Sequence, residues 1–135
     1  MVVGLNPGAD IISFSLLKAF LEVNVTTVVN TASPVDFIRY FANASFVVTS
    51  SFHGTIFSLN FKVPFISVVD DRIGRDSRVT DLLDLLGAER FKQIYSAPVD
   101  DNKDLSYTSE ISDKIERFRN ESLKFLEKAL HNATI

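Results

Sequence analysis

SFVVTSSFHGTIFSLNFKVPFISVV, residues 45–69, decides the fold. Phe46, Val47 and Val48 run without a polar break inside Ser45 to Thr49. That pattern suits a strand covered on both faces, as in a parallel sheet. Thr55 to Asn60 carries Ile56, Phe57 and Leu59 and reads as a short buried helix, after which Pro64 to Val69 returns to a β-rich run. Strand, short helix, strand is the repeating unit of a parallel sheet, because parallel neighbours need a crossover between them. The turn between the first strand and the helix is Ser50, Ser51, Phe52, His53 and Gly54.

Working outward, the same alternation continues. Toward the N-terminus, Ser33 followed by Pro34 is a helix cap with proline at the first helical position, opening a helix over Pro34 to Ala42. Thr26 to Asn30, rich in β-branched residues, reads as a short strand. Asp10 to Glu22 has near-helical apolar spacing with Asp10 as its cap, and Met1 to Leu5 is a clipped strand stopped by Asn6, Pro7 and Gly8. Toward the C-terminus, a polar stretch from Asp70 to Arg78 leads to a leucine-rich helix, Val79 to Leu86, stopped by Gly87. A polar connection over Ser96 to Tyr107 precedes a long amphipathic helix, Ser109 to Leu130, expected to pack across the domain. The order predicts an α/β layered domain with a mostly parallel sheet and right-handed crossovers, a single domain over residues 1–135.

Composition removes several function classes. With 46% hydrophobic and 23% charged residues, the chain has enough apolar material for one core. A net charge of -3 gives no basic footprint for a polyphosphate backbone, so no nucleic-acid partner is expected. Cysteine is absent, which removes disulfides and thiolate metal sites, and no metal role is assigned. Interrupted apolar runs and an N-terminus without a signal-peptide pattern predict a cytoplasmic protein. Walker loop, dinucleotide fingerprint, zincin motif and nucleophile elbow are all missing.

In parallel sheets ligands sit beyond the carboxyl ends of strands, where loops lead into helices, and Ser50 to Gly54 occupies such a place. Free N–H groups at a helix start favour an anion. Ser50, Ser51 and Thr55 offer hydroxyl donors, Gly54 permits close approach, and His53 can donate to an anion or pass a proton. Locally a second reading stands beside this one: the hydroxyls cap the helix and His53 makes one structural hydrogen bond. Arg72, Arg75 and Arg78 divide in the same way. They either reach the ligand, since guanidinium matches phosphate and carboxylate, or pair in a solvated loop with Asp70, Asp71, Asp76 and Asp81. Asp70 and Asp71 are adjacent and point to opposite sides, so neither is given a catalytic role. His131 stands where its charge favours a helix C-terminus.

Taken in order, SPVDFIRYFANASFVVTSSFHGTIFSLNFKVPFISV, then an SR dipeptide, then DLLDLLGAERF, resemble the polysaccharide pyruvyl transferase family from about Ser33 to Phe91. The resemblance implies pyruvyl transfer from phosphoenolpyruvate to hydroxyls of a saccharide acceptor, forming a ketal in cell-surface polysaccharide synthesis, with no cofactor beyond that donor. It implies a Rossmann-like three-layer domain similar to the C-terminal half of a GT-B fold. A partner N-terminal domain would stand in front, the fragment alone would be inactive, and the open cleft face could self-associate. The motif histidine, implicated in catalysis or donor binding, corresponds to His53. Some relatives carry an arginine two residues before it, where this chain has Ser51, so Arg75 or Arg78 is left to meet the donor's charge, and Arg78 stands in the SR dipeptide. Two alternatives remain: a GT-B glycosyltransferase domain that binds a nucleotide sugar, and a non-catalytic α/β module that binds an anion or a protein.

Overall fold

A computed structural model describes residues 2–4, 11–13, 27–28, 32–70, 77–100 and 102–133. Six strands form one sheet: β1 (Val2–Gly4), β2 (Ile11–Ser13), β3 (Thr27–Val28), β4 (Phe46–Thr49), β5 (Phe65–Val69) and β6 (Lys92–Ile94), in the spatial order β3-β2-β1-β4-β5-β6. Strands β4, β5 and β6 are mutually parallel, with Val47 opposite Phe65 and Ser67 opposite Lys92. β2 and β3 are parallel as well, while β1 runs antiparallel to both β2 and β4. The helices are α1 (Pro34–Ala42), α2 (Phe52–Phe61), α3 (Ser77–Leu86) and α4 (Ser109–Asn132). The layout is Rossmann-like α/β.

Local chemistry explains the element ends. Ser33 caps α1 in a reciprocal box, its hydroxyl accepting from the Asp36 N–H while the Asp36 carboxylate accepts from the Ser33 N–H. α3 stops at Gly87, φ 65°, where the Gly87 and Ala88 N–H groups donate to the carbonyls of Asp84 and Leu83. α2 ends in the same motif, but its left-handed position is held by Lys62, φ 54°.

The helices bury one face of the sheet. Val47, Thr49, Phe65, Ser67 and Val69 are buried, and Phe46, Val48, Ile66 and Val68 on the other face are half-buried. The apolar runs read as strands covered on both faces therefore alternate in burial. Phe41 of α1, Leu59 of α2, Val79, Leu83 and Leu86 of α3 and Ile111 and Ile115 of α4 complete the core. Phe37, Phe41 and Phe57 join α1 to α2, with ring centroids 5.0 to 5.6 Å apart. Phe65 stacks on Phe91 at 4.5 Å.

One expectation is corrected. Ile11–Ser13, placed in a helix by apolar spacing, is a strand paired with β1; two β-branched residues in a row with a waiting partner strand favour that outcome, and residues 14–22 lie outside the described set. β6 was not anticipated, since Lys92 and Gln93 disguise a short strand at the sheet edge. α4 lies over α2 and α3, where Arg119 donates to Asn60 Oδ1 at 3.0 Å and Leu123 and Leu126 line an apolar groove with Ile56 and Leu82. Only Ile111 and Ile115 of α4 are buried, and Phe118, Leu123, Phe125, Leu126 and Leu130 keep exposed surface. Among the described residues no helix is long and apolar enough to cross a membrane.

Candidate active site

Because β4, β5 and β6 are parallel, their carboxyl ends share one edge, and α2 and α3 both begin there. α2 starts earlier than the sequence suggested. Its first residue is Phe52, so His53 and Gly54 belong to its first turn and the preceding turn shrinks to Ser50 and Ser51. Ser51 is the cap: its hydroxyl accepts from the Gly54 N–H at 3.5 Å and its carbonyl from the Thr55 N–H at 3.0 Å. The Ser51 N–H in turn donates to Thr49 Oγ1 at 3.0 Å, which fixes the chain as it leaves β4.

Gly54 and Thr55 face inward. Gly54 is buried, and a Cβ there would fall 2.2 Å from Thr49 Oγ1, so its lack of a side chain lets α2 lie close on β4. Thr55 is fully buried, its hydroxyl donating to the Ser51 carbonyl at 3.1 Å and sharing a short hydrogen bond with Ser67 Oγ. Ser58 Oγ donates to the Gly54 carbonyl at 2.8 Å. These residues lock the first turn of α2 to the sheet, while their neighbours stay at the surface.

Those neighbours are Ser50, Ser51, His53 and Arg78, all exposed. Arg78, in the first turn of α3, holds its guanidinium carbon 5.1 Å from the centroid of the Phe52 ring. The same ring meets the His53 imidazole edge-on at 6.1 Å between centroids. Sequence reasoning missed Phe52; its position between the capping serine and the histidine was the available signal. Among the described residues, no carboxylate pairs with Arg78, the His53 side chain makes no hydrogen bond, and the N–H groups of Phe52 and His53 find no acceptor. The cap alternative is thus realised in Ser51, and among the described residues no hydrogen bond is made by the His53 side chain. Arg72 and Arg75 lie outside the described residues. Also among the described residues, no three His, Asp or Glu side chains gather as a metal would need.

The arrangement is a small cationic edge: an open helix N-terminus, an imidazole and a guanidinium, with serine hydroxyls beside them. It suits a compact ligand with negative charge. A Rossmann-like α/β domain with such an edge is the general class.

The comparisons are more specific. The family model described as Polysaccharide pyruvyl transferase matches residues 2–72, just over half of the chain, and the chain belongs to that family. The match takes in Ser50 to Thr55 with His53, and stops short of Arg75 and Arg78. No curated protein and no solved structure matches.

Proposed function

We propose that the chain acts in the transfer of a pyruvyl group from phosphoenolpyruvate to two hydroxyls of a saccharide, forming a ketal for a cell-surface polysaccharide. The observation that carries this reading is the pair of groups, His53 and Arg78, set against one ring at the start of α2. Phosphoenolpyruvate brings a phosphate and a carboxylate. The α2 N–H groups, Ser50, Ser51 and Arg78 hold those anions, and Arg75, outside the described residues, stays a candidate from the sequence alone. Guanidinium and helix-start N–H groups are suited to both.

The chemistry requires a proton on the methylene carbon of the donor, which becomes the ketal methyl group and leaves positive charge on the neighbouring carbon. One sugar hydroxyl adds to that carbon and loses its proton, and a second displaces phosphate and loses its own. His53 is the group positioned to serve as the acid in the first step or to protonate the departing phosphate. Fixed N–H dipoles and Arg78 stabilise the phosphate as its bond to carbon breaks. Gly54 and Thr55 hold this surface in place from beneath. The acceptor needs a facing wall, so turnover by this chain alone is expected to be slight.

Calorimetry of the full chain with phosphoenolpyruvate, compared with uridine and guanosine diphosphate sugars, tests the reading. Phosphoenolpyruvate binding that His53→Ala and Arg78→Ala each weaken supports it. Preference for a nucleotide sugar would instead favour a glycosyltransferase-type donor site, and absence of binding to either would favour a non-catalytic module.

A further inference from the structure

Phe52 is half-buried and packs against the core from the first position of α2, directly after the Ser51 cap. One side of its ring helps line an apolar groove of about 430 Å³ with Ile56, Leu59 and Leu82. The ring is thereby anchored on rigid elements and still meets both groups assigned to the donor. Arg78 comes from α3, and its guanidinium lies 5.1 Å from the ring centroid. His53 comes from α2, and its imidazole meets the ring at 6.1 Å with planes 74° apart. Among the described residues, the aromatic face is the group this guanidinium lies over.

We propose that Phe52 is a positioning residue for donor recognition. Its ring fixes the guanidinium of Arg78 beside the imidazole of His53, so that two anionic groups on one small ligand are met together. This rests on the donor site described above. A long arginine side chain otherwise loses considerable rotamer freedom on meeting a ligand, and a ring that already restricts it lowers that cost. The ligand favoured is one with phosphate and carboxylate close together; inorganic phosphate or pyruvate satisfies only half of the arrangement.

The test uses the full chain and two substitutions: Phe52→Leu keeps apolar bulk without a π face, and Phe52→Tyr keeps the face. Proton NMR of the free protein reads the ring-current displacement of the Arg78 side-chain signals, which is expected in wild type and Phe52→Tyr and lost in Phe52→Leu. Phosphoenolpyruvate affinity is expected to fall about two- to fivefold in Phe52→Leu, to recover in Phe52→Tyr, and to show no further loss from Phe52→Leu once Arg78 is alanine. The inference is overturned if Arg78 shows no ring-current displacement in wild type, if Phe52→Leu binds as wild type does, or if its loss is unchanged in the Arg78→Ala background. Wild type that shows the displacement but binds no phosphoenolpyruvate overturns the donor reading itself.

Discussion

A Cβ on residue 54 would overlap the Thr49 hydroxyl, lying 2.2 Å from Oγ1 and 3.0 Å from the Thr49 Cβ. The helix start that carries His53 is therefore seated on β4 by the absence of one methyl group. Gly54→Ala pushes α2 away from the strand and is expected to cost about 1–3 kcal/mol, the usual range for overpacking. Thr49→Ser, by removing Cγ2 and freeing the hydroxyl to turn, is expected to recover part of that loss in the double variant. Urea unfolding of the two single variants and the double checks both statements; additive losses would contradict the contact.

Lys62 holds a left-handed conformation at the end of α2 that glycine adopts without strain. Its amine is 3.9 Å from Glu116 on a half-exposed surface, an ion pair worth little. Lys62→Gly is expected to stabilise the chain by about 0.5–1 kcal/mol, read as a rise in the urea midpoint at unchanged slope.

Tyr107 ties the far end of the same helix. Its hydroxyl donates to the carbonyls of Ser58 at 3.0 Å and Val63 at 3.1 Å. Burial holds the phenol well above its ordinary range. Tyr107→Phe is expected to cost about 0.5–1.5 kcal/mol, since one O–H proton is shared between the two carbonyls. Because the folded-state phenol resists ionisation, its contribution is full below the ordinary phenol range and is lost as pH rises above it. Alkaline unfolding followed by circular dichroism should therefore be less steep in the phenylalanine variant.

At the acid end the sign reverses. Hydrogen bonds from Ser33 hold the Asp36 carboxyl below its usual range, and Asp104 and Glu110 are lowered by Ser106 and Lys114. Groups lowered on folding add stability above their unfolded values and lose it as pH falls through the folded ones. Thermal unfolding is expected to weaken on acidification through the carboxylate range, and Asp36→Asn to remove the part due to the α1 cap.

The Ser33 cap of α1, the β4-α2-β5 unit and the Gly87 stop were legible because each rests on local chemistry that one short stretch contains. Ile11–Ser13 was not, since its conformation depends on a partner strand rather than on its own spacing. At the site, a hydroxyl cap was one of the two readings that the motif allowed, and Ser51 fills it, with the helix starting three residues earlier than the apolar pattern indicated. The inward roles of Gly54 and Thr55 were not legible, because they depend on Thr49 and Ser67 across the sheet. The role of Phe52 was hidden for the same reason: only the fold brings Arg78, 26 positions along the chain, onto its ring.

The central claim is that the α2 start recognises phosphoenolpyruvate through His53 and Arg78. Amide and side-chain NMR of the labelled chain, titrated with phosphoenolpyruvate, tests it most directly. The account predicts saturable shifts at the backbone N–H groups of Phe52 and His53, the His53 imidazole and the Arg78 guanidinium, weakened in His53→Ala and Arg78→Ala. Saturable shifts confined to another part of the molecule, or none at that helix start, would contradict it.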